Sequence, residues 1–338
     1  MNSVGIIMAL AAVALAASVL FGQENVQDTT PVGPEGNTGI ASRYPGDAGI
    51  AKDPDVIYAS DFEEGFAGGL TPNRNGVVAL QDPAIALSGK GCAQITATRG
   101  KDPGGDLVYS WEPGEDQAFV RVYVKFHKDT VTPHHFLRLA GRGPNYQWVG
   151  AGQRPAGDST FRATIEPPNL DRPGSGWHFY CYWHEMRSWQ TEEGNADGRP
   201  NPYYGNNFRP DNQPTFPGRD KWICVEWMVK VNTIGEHNGE MAYWIDGKKL
   251  GHWGPGFPVG SWIRERFVTS GQWNRNPQPF EGFSWRTDER VKLNRLLLQW
   301  YVSDRVTRDA KSDENTVYFD NLVIARHYIG PIAEAEDK

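Results

Sequence analysis

The stretch 222–232, WICVEWMVKVN, fixes more about this chain than any other feature. Ile223, Val225, Trp227, Val229 and Val231 fall on one side at period two, and Glu226, Lys230 and Asn232 fall on the other. Such alternation belongs to a strand with one face in a core and one toward water. The same pattern returns at 119–127, 135–141, 160–166, 177–186, 240–250, 293–302 and 316–325, and no stretch of useful length carries a helical period. The runs are punctuated by many of the 38 glycines and 24 prolines. Short alternating strands between turn residues predict an all-β, antiparallel two-sheet sandwich. TIGEHNG at 233–239 reads as a hairpin loop, and Pro/Gly/Asn-rich loops at 189–220 and 252–288 are long enough to shape a binding surface. No internal repeat marks a second domain.

In GWHFYCYWHEMRSWQ, residues 176–190, Trp177, Phe179, Cys181 and Trp183 share one side while His178, Tyr180, Tyr182 and His184 share the other. One side is a candidate core and the other a row of groups that carry protons. Glu185 falls on the apolar side of the same run.

The ends of the chain are of another kind. Residues 5–22, GIIMALAAVALAASVLFG, are uncharged and apolar, and 1–22 reads as an export signal or membrane anchor, although no Lys or Arg precedes Arg43. Residues 23–54 read as a disordered linker, 55–331 as the folded domain and 332–338 as a frayed tail. The expected location is outside the cytoplasm: secreted, periplasmic or at the cell surface. A formal net charge of −7 speaks against a nucleic-acid partner. Cys92, Cys181 and Cys224 lack metal-type spacing and read as buried free thiols.

Within this frame DKWICVEWMVKVNTIGEHNGEMAYWIDGKKLG (220–251) resembles a segment of the jelly-roll polysaccharide lyases, the alginate and glucuronan lyases built on a concanavalin A-like sandwich. FLRLAG (136–141) is similar to their basic-Leu-Pro-Gly strand, FYCYW (179–183) to their Tyr-x-Tyr strand and YYG (203–205) to a later Tyr-Gly, in the same order along the chain. The resemblance covers residues 55 to 330. It implies a single jelly-roll domain with long loops that cleaves a uronic-acid polymer by β-elimination, with no cofactor required. Tyr180 and Tyr182 match the tyrosines, and Arg138 stands where the family often has Lys. There are two departures. Thr164 occupies a position where the family has Arg, with Arg162 two residues away on the same face, and Ala140 replaces the proline.

The chemistry asks for three groups. A cation must neutralise the uronate carboxylate, a base must take the C5 proton, and an acid must protonate the leaving C4 oxygen. Arg grips a carboxylate with parallel hydrogen bonds, so Arg138 and Arg162 suit the first role. A phenol serves proton transfer if nearby cations lower its pKa, and His135 or His184 can act as base at an ordinary pKa. Candidate catalytic residues are therefore Tyr180, Tyr182, His184, His135 and Arg138. Candidate substrate-binding residues are Arg162, Lys230, Gln299, Tyr301, Tyr204 and Trp189, with Trp273 and Trp285 as further surfaces for sugar rings. DFEEGF (61–66) and YFDN (318–321) carry oxygen ligands suited to a structural calcium, chiefly Glu63 and Asp320. The partner expected is an acidic polysaccharide bound by a monomer, and the competing reading is a glycan-binding module without catalysis. A sandwich glycoside hydrolase would need alternating acids on one strand, and EWMVKVN carries one acid.

Overall fold

The structure is a computed structural model describing residues 29–172, 175–190, 202–210, 213–214, 216–307 and 310–334. The apolar run 5–22 lies outside the described residues, and no helix among those described is long and apolar enough to cross a membrane.

Among the described residues the alternating runs build an eight-stranded sheet and a ten-stranded sheet. In spatial order the first comprises Lys248–Trp253, Glu240–Ile245, Trp222–Lys230, Gln117–Phe126, Glu314–Ala325, Gly91–Thr98 and Val77–Gln81, with Val56–Ser60 also paired to Glu314–Ala325. The second comprises Gln278–Pro279, Val259–Ile263, Arg266–Val268, Asn206–Phe208, His178–Tyr182, Thr160–Glu166, Leu137–Arg142, Lys292–Tyr301, Gly104–Glu115 and Thr71–Pro72. Pairing is antiparallel apart from Asn206–Phe208 beside Arg266–Val268. Neighbours in sequence cross between layers, as Gly104–Glu115 and Gln117–Phe126 do, so the fold is the expected jelly-roll sandwich. The expected strand 240–250 is two strands, because Asp246 and Gly247 take left-handed backbone and turn the chain.

The inner faces supply the core. Val120, Val122, Val124 and Phe126 from one sheet and Leu296, Leu298 and Trp300 from the other are fully buried in one cluster. Rings bridge the layers, with Phe126 6.0 Å from Trp300 and Phe179 5.4 Å from Tyr243, centroid to centroid. Each such side chain contributes about 1.5–3 kcal/mol by leaving water. Cys92, Cys181 and Cys224 are buried and free.

The expected disordered linker over 23–54 does not hold for residues 34–53. Three short 3-10 turns, Ile40–Arg43, Pro45–Asp47 and Ile50–Lys52, lie on the outer face of the eight-stranded sheet. Ile40, Ala41 and Ile50 are buried in a second cluster with Phe119, Met228, Ala242, Trp244 and Val323. Trp244 Nε1 donates to the Pro34 carbonyl at 2.8 Å, and the Arg121 guanidinium, fully buried, pairs with Asp47. Three apolar side chains in a Gly/Pro-rich stretch suffice to anchor it, because the sheet's outer face is apolar there. The expected frayed tail is also ordered at its start. The Ala333 carbonyl accepts from Gly46 N at 2.9 Å, and Ile332 N donates to the Tyr123 hydroxyl at 2.9 Å.

Candidate active site

The outer face of the ten-stranded sheet carries a row of polar side chains because its strands alternate at period two, with one break in register between Leu293 and Arg295. On His178–Tyr182, Phe179 and Cys181 are fully buried beneath the sheet, which sends Tyr180 and Tyr182 to the other face. Register sets their neighbours. Arg138 lies opposite Thr164, and Thr164 opposite Tyr180; Ala140 lies opposite Arg162, and Arg162 opposite Tyr182. His135 bridges to Tyr301 at the edge of the same face.

Two hollows meet here. One is lined by His134, His135, Glu166, His178, Tyr180, Trp189, Asn207, Arg209 and Arg266 among others. The other includes His135, Arg138, Arg162, Tyr182, Arg295, Gln299 and Asp106. His135 is common to both, so they form one groove.

Three linked arrangements occupy its centre. The Tyr180 and Tyr182 hydroxyls are 3.3 Å apart, and the Arg162 guanidinium lies 3.8 Å from the centroid of the Tyr182 ring. The Tyr180 ring rests against Gly205, where a Cβ would stand 2.5 Å from ring atoms, so only glycine fits. Arg138 donates to Gln299 Oε1 at 2.8 Å, and Gln299 Nε2 donates to Asp106 at 2.7 Å; Gln299 therefore braces the guanidinium. His135 Nδ1 lies 2.9 Å from Glu166 Oε1, and the imidazole is 5.4 Å from the Tyr180 ring.

Burial governs the protonation of these groups. Desolvation, with Arg138 and Arg162 nearby, pushes His135 down to about 3. Burial pushes Glu166 up to about 8 against the pull of Arg138. Burial, with Arg162 alongside, brings Arg138 down to about 10. The expectation that cations lower the phenols fails at Tyr180. Desolvation and the hydrogen bond with Tyr182 raise its pKa well above the ordinary value, so it remains a proton donor.

Other expected residues lie elsewhere. His184 does not join the row, because the strand ends at Tyr182; it bonds Ser284 Oγ at 3.2 Å and lines neither hollow. The early strand end also turns Glu185 outward, where it bonds His237 at 2.8 Å. Lys230 belongs to the eight-stranded sheet and pairs with Glu240 at 2.8 Å, away from the groove. Period two tells which residues face outward but not from which sheet. Tyr301 stands beside His135, their ring centroids 6.0 Å apart. Trp189 lines the groove, its Nε1 donating to the Tyr204 carbonyl at 3.0 Å, and Tyr204 packs on its ring. Trp285 is fully buried against Phe283, whereas Trp273 is exposed. Glu63 accepts from Lys90 N and Gly91 N, and Asp320 from Leu87 N and Asn321 N. Among the described residues no group of three or more His, Cys, Asp or Glu comes together for a metal.

The sequence reading missed Glu166, Arg209, Arg266, Arg142 and the exposed Trp148. For Glu166 the signal was present: Arg162, Thr164 and Glu166 alternate on one face of TFRATIE.

No family model and no curated protein matches the chain. Among solved structures, an alginate lyase from Chlorella virus superposes with a TM-score of 0.51 at 14% identity, over 80% of this chain and 100% of its own. An endo-β-1,4-glucuronan lyase from the fungus Trichoderma reesei gives a TM-score of 0.46 at 11% identity, over 80% of this chain and 95% of its own. The chain thus has the jelly-roll sandwich fold that the viral alginate lyase carries.

Proposed function

We propose that this protein is an exported polysaccharide lyase that cleaves a uronate-bearing glycan by β-elimination. The observation that carries the reading is the meeting of Arg138, the His135–Glu166 pair and the Tyr180–Tyr182 pair on one face. Arg138 takes the sugar carboxylate and draws charge from C5. His135 removes the C5 proton through Nε2, its other nitrogen being held by Glu166. The electron pair forms the C4–C5 double bond as the C4–O bond breaks, and the Tyr180 hydroxyl protonates the leaving oxygen. The raised phenol and the neutral imidazole give one group the acid role and the other the base role. The apolar run 5–22 supports export.

A glycan-binding role without cleavage is the second reading, favoured by the depth of Tyr182, which is 4% exposed. The purified protein, incubated with polymannuronate, polyguluronate and polyglucuronate, is expected to produce the ultraviolet absorbance of a double bond conjugated to a carboxylate. Retention of the protein by these polymers with no absorbance rise overturns the lyase reading in favour of binding.

The pH dependence has a definite sign. Below about 8 the Glu166 carboxyl keeps its proton and donates it to Nδ1, which leaves the imidazole hydrogen on Nε2. Above about 8 the carboxylate accepts from Nδ1–H, and Nε2 presents a lone pair to the groove. Turnover is therefore expected to rise through pH 8. Glu166→Gln should abolish the rise; a pH–rate profile unchanged by this substitution contradicts the assignment. The same raised pKa means that the folded state holds a proton the unfolded chain releases near 4.5, so its contribution to stability is complete below 4.5 and is lost as pH climbs through about 8. Glu166→Gln should accordingly melt higher than the parent at alkaline pH.

A further inference from the structure

We propose that Arg142 and Arg295 form a second anion subsite beside the proposed cleavage centre, taking the carboxylate or sulfate group of a neighbouring sugar. The inference extends the lyase reading but rests on its own geometry. Arg138, Ala140 and Arg142 share one face of Leu137–Arg142, and Ala140 is flanked in register by Arg162 on one side and Arg295 on the other. The small side chain at 140 leaves a floor between the guanidinium groups. Strand spacing puts the roots of Arg162 and Arg295 about 10 Å apart, and those of Arg138 and Arg142 about 13 Å apart. All four arginines border one hollow. Arg142 and Arg295 also border the adjoining hollow with Tyr146, Arg290 and Glu112, so the groove continues past them.

Like Arg138 and Arg162, and unlike Arg290, Arg286 and Lys292, these two arginines have no carboxylate partner among the described residues. Arg290 is forked onto Asp288 at 2.6 and 2.9 Å, and Lys292 and Arg286 pair with Asp116 at 3.1 and 3.0 Å. Among the described residues, ion-pair contacts within 4.0 Å include none for Arg142 or Arg295, Glu112 included. Arg295 donates to Ser110 Oγ at 2.9 Å, while its Nε is buried without a partner. The Arg142 guanidinium lies over the Tyr146 ring, its carbon 4.0 Å from the centroid, and burial together with Arg295 lowers its pKa. Two partly desolvated cations that repel one another are relieved by an anion from outside. Trp148, 75% exposed on the rim of the same hollow, offers an apolar face to the ring bearing that anion.

The experiment is affinity electrophoresis through gels cast with polyglucuronate, with dextran sulfate or with uncharged dextran, using the full chain. The parent should be retarded by an anionic polymer and not by dextran. Arg142→Gln with Arg295→Gln should weaken that binding about tenfold or more. Lys101→Gln with Lys128→Gln, exposed turn lysines outside the groove, controls for the same loss of charge. Loss confined to polyglucuronate assigns a carboxylate, and loss confined to dextran sulfate assigns a sulfate ester. If the parent binds but does not cleave, the lyase reading falls and the subsite stands. If it cleaves, KM for the polymer should rise about tenfold in the variant while kcat changes less than about twofold. In the unsubstituted protein, polyglucuronate or dextran sulfate should shield Arg142 and Arg295 from phenylglyoxal, read by peptide mass mapping, so the assignment does not hang on the variant folding. Parent-like binding by the folded variant, equal loss in the lysine control, absent shielding, or a parent that ignores all anionic polymers would each overturn the subsite.

Discussion

Tyr180→Phe is expected to lower kcat on a cleavable uronate polymer by about 10²–10⁴-fold, the usual worth of a positioned proton donor. The substitution deletes one oxygen and keeps the ring. Gly205 fixes where that ring sits, so phenylalanine occupies the same space. The hydrogen bond lost to the Tyr182 hydroxyl costs about 1 kcal/mol, too little to unfold the domain. Tyr182→Phe should cost less in kcat than Tyr180→Phe, since Tyr182 lies deeper and orients the donor through that bond. The measurement is kcat at saturating polymer, with melting temperature as the folding control. A Tyr180→Phe protein turning over within about twofold of the parent would remove this phenol from the mechanism.

The second large effect concerns stability. Asp47→Ala should destabilise the fold by about 3–5 kcal/mol, because it strands a buried charge. Arg121 has no side-chain exposure, and the neighbouring Glu226 carboxylate accepts instead from Ile329 N and Gly330 N at 2.8 Å each. A drop in melting temperature of about 5–10 °C is the expected reading. Replacing both partners, Asp47→Leu with Arg121→Met, should recover most of the loss, since apolar packing does without the desolvation of two ions. If the single substitution leaves melting unchanged, the 34–53 segment does not hold the sheet as described.

Period two made much of this molecule legible. The inner rows at 119–127, 177–182 and 222–230 read correctly because each strand has one face in the core. The outer face of 222–230, expected toward water, is buried at Cys224, Glu226 and Met228 because residues 34–53 and 328–330 cover it. Gly104–Glu115 escaped notice since GGDLVYSWEPGE carries three glycines and a proline. Alternation also told which side chains leave the core without telling which layer they leave, and so Lys230 was grouped with Arg138. Where a strand stops is set by packing, and His184 was lost from the row when the chain turned after Tyr182. Protonation was the least visible property. Whether a phenol beside arginines is acidified or kept neutral depends on how deeply it is desolvated, and no residue pattern encodes depth.

The interlacing of residues 34–53 with 328–333 has a consequence for how the protein can be held. Both segments lie behind the eight-stranded layer, with the thickness of the sandwich between them and the arginine-lined trough. A bead or a cell envelope that gripped these two segments from behind would leave the trough pointing outward, open to polymers too long to diffuse into a confined site.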